Sequence, residues 1–167
     1  MKNLTESDVM GRIDSTTSTK DVVICDIDGT LANPNHRRHY VTGEGKKDWK
    51  SFFRVQNLDP VKEETKDALT LFGMVFTIHI VTARPESERE RTVKWLDAKH
   101  VKYDELHMTR TGKMRHIADC EAKRLWLHSM GKEFKSRILV ILDDRTSVVN
   151  MWREEGLVCW QVEDANF

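Results

Sequence analysis

Hydrophobic positions along the chain alternate between short β-branched runs and longer stretches with apolar residues at helical spacing. Val22-Val23-Ile24-Cys25 is a continuous apolar run ending at Asp26, as expected of a strand buried on both faces of a parallel sheet. A helix is predicted from near Pro60 to Phe72, with Gly73 as its stop. The run 75–81 predicts a second strand leading into Thr82-Ala83-Arg84-Pro85, and 86–99 a helix with Val93, Trp95 and Leu96 inward. A short strand is expected over 105–108, a helix over 118–130 stopped by Gly131, and a strand over 137–142 ending at Asp143-Asp144. A helix over 146–155 and a last strand over 157–162 complete the pattern. Strand and helix alternate, which implies an α/β fold: a Rossmann-like, doubly wound, mainly parallel sheet covered on both faces.

One interval breaks this rhythm. Nearly fifty residues separate Asp26 from Val75, where a crossover helix and its loops need roughly a dozen or two. Residues 33–58 are the surplus and read as a small cap inserted after the first strand. Residues 1–20, rich in Ser and Thr, read as a flexible arm, leaving 21–167 as the folded domain.

In such sheets the working site lies beyond the carboxyl ends of the strands. Asp26-Ile27-Asp28-Gly29-Thr30, Thr82 with Arg84, and Asp143-Asp144 all fall there. Four carboxylates in one crevice repel one another unless a divalent cation neutralises them, and hard oxygen ligands favour Mg²⁺. Gly29 permits close backbone approach and leaves N–H groups to face an anion. An aspartate can attack phosphorus, and a second carboxyl two residues on can protonate the leaving group and then activate water. On that division Asp26 stays ionised at the metal and Asp28 is free to carry a proton.

Asp26-Ile27-Asp28-Gly29-Thr30 resembles the first motif of the haloacid dehalogenase-like (HAD) phosphohydrolases. Thr82, Lys123 and Asp143-Asp144 are similar to the second, third and fourth motifs, in the same order. The C-terminal stretch, with Asp143-Asp144-Arg145-Thr146, Met151-Trp152-Arg153 and Cys159-Trp160-Gln161-Val162, resembles the phosphatase domain of phage-type polynucleotide kinases. Met108, Arg110 and the pair Asp119 and Lys123 are similar to that family's third-motif region. Ile117 and Ala118 stand where that family has basic residues, and Thr82-Ala83-Arg84 where it has Ser-Gly-Arg. The cap, with His36-Arg37-Arg38-His39-Tyr40 and Lys46-Lys47-Asp48-Trp49, instead resembles stand-alone phage and bacterial nucleotide phosphatases of the same branch.

The resemblance implies Asp26 as nucleophile and Asp28 as general acid/base with its carbonyl on the metal. It implies Thr82 on the phosphoryl group, Lys123 as the neutralising cation with Lys113 as a rival, and Asp143 or Asp144 as the direct metal ligand. Gly29, Thr30, Arg84, Arg37, Arg38, Tyr40, Trp49 and Arg110 are the candidate substrate contacts. The implied activity is a Mg²⁺-dependent phosphomonoesterase that passes through an aspartyl-phosphate and acts on a 5′-(deoxy)mononucleotide. A 3′-phosphatase acting on nucleic-acid ends and a phosphomutase or phosphotransferase are the alternatives, with a nucleotide-binding scaffold as the non-enzymatic one.

Composition trims these choices. The 167 residues carry 27 Lys+Arg against 27 Asp+Glu, so bulk electrostatic attraction to nucleic acid or anionic membrane is not expected. No apolar run reaches the ~18 residues of a membrane span, and Cys25, Cys120 and Cys159 form no zinc pattern, so a cytoplasmic setting is expected. Between His36 and Arg54 six Lys/Arg face two acidic residues, a local excess suited to an anionic substrate. Tyr40 and Trp49 are candidates for base stacking, while Phe52, Phe53, Cys25, His79, Trp152 and Trp160 read as packing. No GxxxxGK[ST] loop occurs, and nothing calls for an obligate protein partner.

Overall fold

The computed structural model describes residues 20–110 and 117–165. Five parallel strands, β1 Val22–Cys25, β2 Thr77–Pro85, β3 Glu105–Arg110, β4 Ile138–Arg145 and β5 Cys159–Ala165, form one sheet in the order β3-β2-β1-β4-β5. The order reverses at β1, which pairs with β2 on one side (Cys25↔Ile80) and β4 on the other (Cys25↔Leu142). At such a reversal the connections leave the sheet in opposite directions and a crevice opens at the carboxyl ends. The helices are α1 Trp49–Arg54, α2 Glu63–Phe72, α3 Arg89–Ala98, α4 Asp119–Arg137 and α5 Thr146–Glu154.

The run at β1 is apolar throughout because both faces are covered. Val22 and Ile24 pack with Trp126, Leu127, Val148 and Trp152 of α4 and α5. Val23 and Cys25 point the other way, to Leu69, Trp95 and Leu96 of α2 and α3. The two-residue period of the strand thus divides the core into two layers.

Several boundaries differ from the sequence expectation. Val75 is three-quarters exposed and its N–H bonds the Phe72 carbonyl, so it closes α2 and β2 starts only at Thr77. β2 then continues to Pro85, opposite Arg110 of β3. Gly131 stops regular helix as expected (φ 82°, ψ 170°), but a second helical piece carries α4 on to Arg137. The last strand begins at Cys159, because the Leu157 N–H caps α5 on the Trp152 carbonyl. Trp160 is half exposed and leans on Phe72, a surface position where packing was expected.

Between β1 and α2 the chain forms a 3₁₀ turn Asn35–Tyr40, helix α1 and a second 3₁₀ turn Gln56–Leu58, over the carboxyl end of the sheet. Asp48 caps α1, its carboxylate accepting the Ser51 N–H at 2.9 Å. The expected N-terminal arm falls outside the described residues except for Lys20. Among the described residues no helix is long and apolar enough to cross a membrane.

Leu127 lies 1% exposed in the α4–α5 layer and does not line the crevice. Leu127→Ala is expected to lower the unfolding free energy by about 2–5 kcal/mol in urea titrations while leaving the metal affinity of the folded protein unchanged.

Candidate active site

Strand β1 ends in a tight turn. The Ile27 carbonyl accepts the N–H groups of Thr30, Leu31 and Ala32, and the Gly29 N–H bonds the Ala32 carbonyl at 2.9 Å. The amides of Gly29 and Thr30 are therefore used inside the turn, contrary to the expectation that they face an anion. Gly29 has φ +102°, and a Cβ there would stand 2.0 Å from Asp144 Oδ2. Glycine is required at this position so that the Asp144 carboxylate can lie against the backbone.

Asp26, Asp143 and Asp144, all buried, bring one carboxylate oxygen each within 4.8 Å of one another. Lys123, buried on α4, donates to Asp26 Oδ1 at 2.8 Å and Asp143 Oδ2 at 2.9 Å, and lies 3.9 Å from Asp119 Oδ1. Burial works against the Lys123 ammonium, but Asp119, Asp143 and Asp26 outweigh it and raise its pKa well above the ordinary lysine value. Asp143 Oδ2 also accepts from Trp152 Nε1 at 3.3 Å, which turns Trp152 from mere packing into a support for this carboxylate.

Burial first, with Asp143 and other carboxylates adding to it, pushes the Asp26 carboxyl well above its ordinary pKa despite Lys123. Burial and then Asp143 push Asp144 up to about 6. Asp144 Oδ1 accepts from Thr30 Oγ1 at 3.1 Å, while its buried Oδ2 has no hydrogen-bond partner. Crowded buried carboxylates with one unpartnered oxygen and a single ammonium suit a hard divalent cation. Asp26, Asp143 and Asp144 are the residues that would hold it. Thr30, a candidate substrate contact, is fully buried and spends its hydroxyl on Asp144 instead.

Asp28 departs most from expectation. Its carboxylate is outside the three-carboxylate group and faces two arginines. Arg84 Nε and Nη2 donate to it at 2.9 and 2.6 Å, and Arg37 Nη2 at 2.6 Å. Burial alone would raise its pKa, but Arg84 and Arg37 overcome that and hold the carboxyl well below the usual range. Asp28 is thus a clamped carboxylate rather than a free proton carrier, and neither Arg37 nor Arg84 is available to a phosphate as expected. Both are buried, and both also bond Asp59, which is fully buried. Asp59 had no sequence signal: it belongs to no periodic pattern, and its partners lie 22 and 25 residues away.

These groups floor a cleft of about 280 Å³. Thr82 lines it, and its Oγ1 accepts the Arg84 N–H at 3.2 Å. The opposite wall comes from the insertion: Trp49, Phe52 and Phe53, with Arg38 and Lys47 beside them. Trp49 is 40% exposed and lies nearly parallel to Phe53, 23° apart in plane, with Lys47 Nζ 5.8 Å from its ring. Tyr40 pairs with His39 and does not line the cleft, so it is no stacking surface for a ligand there. On the far rim Arg145 Nη1 meets Asp119 Oδ2 at 3.3 Å. The Arg110 side chain and Lys113 lie outside the described residues.

Carboxylates crowded at the crevice of a parallel sheet, a buried lysine among them and an insertion across the mouth define a haloacid dehalogenase-type phosphatase. The family model described as the polynucleotide kinase PNKP phosphatase domain matches residues 20–167, and the chain belongs to that family. A chain of the Pnkp1/Rnl/Hen1 complex has a TM-score of 0.73 at 27% identity, covering 91% of this chain and 48% of that one. This chain therefore spans about half the length of that relative. A haloacid dehalogenase-like hydrolase from Streptococcus pneumoniae shares the fold with a TM-score of 0.58 at 14% identity, over 84% of this chain and 83% of that one. So does a HAD family enzyme from Bacteroides thetaiotaomicron, solved with magnesium and inorganic phosphate (TM-score 0.55, 9% identity, 89% and 96% coverage).

The Asp144 geometry has a thermodynamic consequence. Its folded-state carboxyl keeps its proton up to about pH 6, against an ordinary value of 3.8, so stability of the metal-free protein falls as pH rises through that window. Asp144→Asn is expected to raise the metal-free Tm at pH 7.5 by roughly 2–6 °C and to change little below pH 4. Mg²⁺ is expected to raise the Tm of the native protein more than that of the variant.

Proposed function

We propose that this domain is a Mg²⁺-dependent phosphomonoesterase that removes the terminal 3′-phosphate of a nucleic acid. The carrying observation is the placement of Asp26, Asp143, Asp144 and Lys123 on the floor of a cleft whose other wall is aromatic and basic. Membership in the PNKP phosphatase family supports the nucleotide class, and the likeness to a chain of an RNA repair complex supports an end of a polymer.

Asp26 is the nucleophile: a carboxylate oxygen attacks phosphorus as the bond to the sugar oxygen breaks, giving an aspartyl-phosphate. Asp28, whose side chain is 21% exposed and which Arg37 and Arg84 hold ionised, must first take up a proton, which it then gives to the departing sugar oxygen. In the second half it takes a proton from the water whose oxygen attacks phosphorus, releasing inorganic phosphate and restoring Asp26. The arginine clamp favours the ionised form that this second half requires. Lys123 holds Asp26 in line and offsets its charge, and the Thr82 hydroxyl is placed to donate to the phosphoryl oxygens. When bound, Mg²⁺ would neutralise the crowded carboxylates and the phosphoryl group together. Trp49 supplies a face for the terminal base, with Arg38 and Lys47 near the adjoining phosphate.

A second reading, a 5′-mononucleotide phosphatase, is favoured by the modest cleft volume of about 280 Å³ and by the zero net charge. Phosphate release with Mg²⁺ from a 3′-phosphorylated oligonucleotide and from 5′-mononucleotides separates the two. The oligonucleotide is expected to turn over faster, and Asp26→Asn to lose more than about 10³-fold. A faster mononucleotide selects the second reading, and release from neither overturns the nucleotide assignment. Trp49→Ala is expected to raise KM for the preferred nucleotide roughly tenfold while leaving glycerol 2-phosphate, which has no ring to stack, unaffected.

A further inference from the structure

Behind Asp28 lies a carboxylate that the chemistry above does not use. Asp59, at the junction of the insertion and α2, is fully buried and does not line the cleft. Its Oδ1 accepts from Arg37 Nε at 2.7 Å and lies 2.8 Å from His36 Nε2. Its Oδ2 accepts from Arg37 Nη2 and, at 3.3 Å, from Arg84 Nη2. Those same two nitrogens each donate to Asp28 Oδ1 at 2.6 Å. Each Nη2 is therefore divided between the two aspartates. Trp95 Nε1 fixes the Asp59 backbone carbonyl at 2.9 Å, so the second aspartate is rigidly placed.

The group balances two buried guanidiniums against two carboxylates; Asp28 and Arg84 line the cleft, and of the four only Asp28 keeps appreciable exposure. Without Asp59 both cations fall to Asp28 alone, since a buried guanidinium cannot be left uncompensated. We propose that Asp59 is a positioning residue for Asp28: by taking a share of Arg37 and Arg84, it sets how Asp28 is held beside the reacting phosphoryl group. This rests on reading Asp28 as the group that moves the proton. Such a role affects reactions whose leaving group needs a proton and spares those whose leaving group does not, whereas mere structural support would affect both alike.

The test measures kcat/KM with Mg²⁺ for a 3′-phosphorylated oligonucleotide and for p-nitrophenyl phosphate, whose leaving group departs without protonation. The proteins are the full chain and its Asp28→Asn, Asp59→Asn and double variants, each checked for folding by circular dichroism. Asp28→Asn is expected to lose about 10²-fold on the nucleotide and Asp59→Asn about tenfold, with kcat/KM for p-nitrophenyl phosphate, which reports the first phosphoryl transfer and not the later attack of water, falling severalfold less in each. Adding Asp59→Asn to Asp28→Asn is expected to change nothing further, because Asp59 acts through Asp28. Equal losses by Asp59→Asn on both substrates, or an additive loss in the double variant, would overturn the proposal. A selective loss in Asp28→Asn with none in Asp59→Asn overturns it alone; no selective loss in Asp28→Asn overturns the reading of Asp28 as well. Should Asp59→Asn not fold, Arg37→Gln is compared with Arg37→Gln/Asp59→Asn. Restored charge balance is then expected to recover the nucleotide rate severalfold, and no recovery overturns the proposal.

Discussion

Like charge held at close range is the constraint around which the site is built. Adjacent parallel strands β1 and β4 end in Asp26 and in Asp143-Asp144, and the pairing Cys25↔Leu142 sets these acids side by side. Nothing in a hydrophobic sheet compensates them. The surrounding elements can be read as responses to that cost: Lys123 projects from α4 between Asp26 and Asp143, Trp152 also donates to Asp143, Thr30 donates to Asp144, and Gly29 makes room for Asp144. One oxygen, Asp144 Oδ2, is still left without a partner. A site that is satisfied only in part by its own chain is poised to take a cation and a charged substrate together.

A second charged group meets the opposite demand. Arg37, Arg84, Asp28 and Asp59 balance among themselves, and three of the four are sealed from solvent. Here the chain satisfies itself fully, and of the four only Asp28 keeps appreciable exposure. An unbalanced cluster that invites ligands thus sits beside a balanced one that holds a side chain still.

The sheet and the motif residues were legible because their signals are local. Val22-Val23-Ile24-Cys25 announces a doubly buried strand, and the acids at strand ends follow from it. The PNKP phosphatase family, on which the resemblance rested, is the one the chain belongs to. Side-chain allegiance was not legible. Arg37 and Arg84 look like phosphate ligands in a sequence, but each is claimed by Asp59, which becomes their neighbour only once the insertion folds back. Thr30 was misread for the same reason, since its partner is 114 residues away. Boundaries slipped where backbone hydrogen bonding overrode hydrophobicity, as at Val75 and Leu157, whose N–H groups close helices rather than open strands.

The insertion is fastened at both of its ends: Arg37 lies near its beginning, Asp59 just past its close, and the two are joined to each other and to the turn after β1. Swinging the whole segment outward would separate buried ions at a cost of about 3–5 kcal/mol, leaving such a state at or below roughly one molecule in 10². The stretch between the fasteners, with Thr42, Lys47 and Trp49, lines the cleft without sharing in that ion pairing. Changes in what this enzyme admits can then arise by altering that short stretch while the frame that holds Asp28 stays as it is.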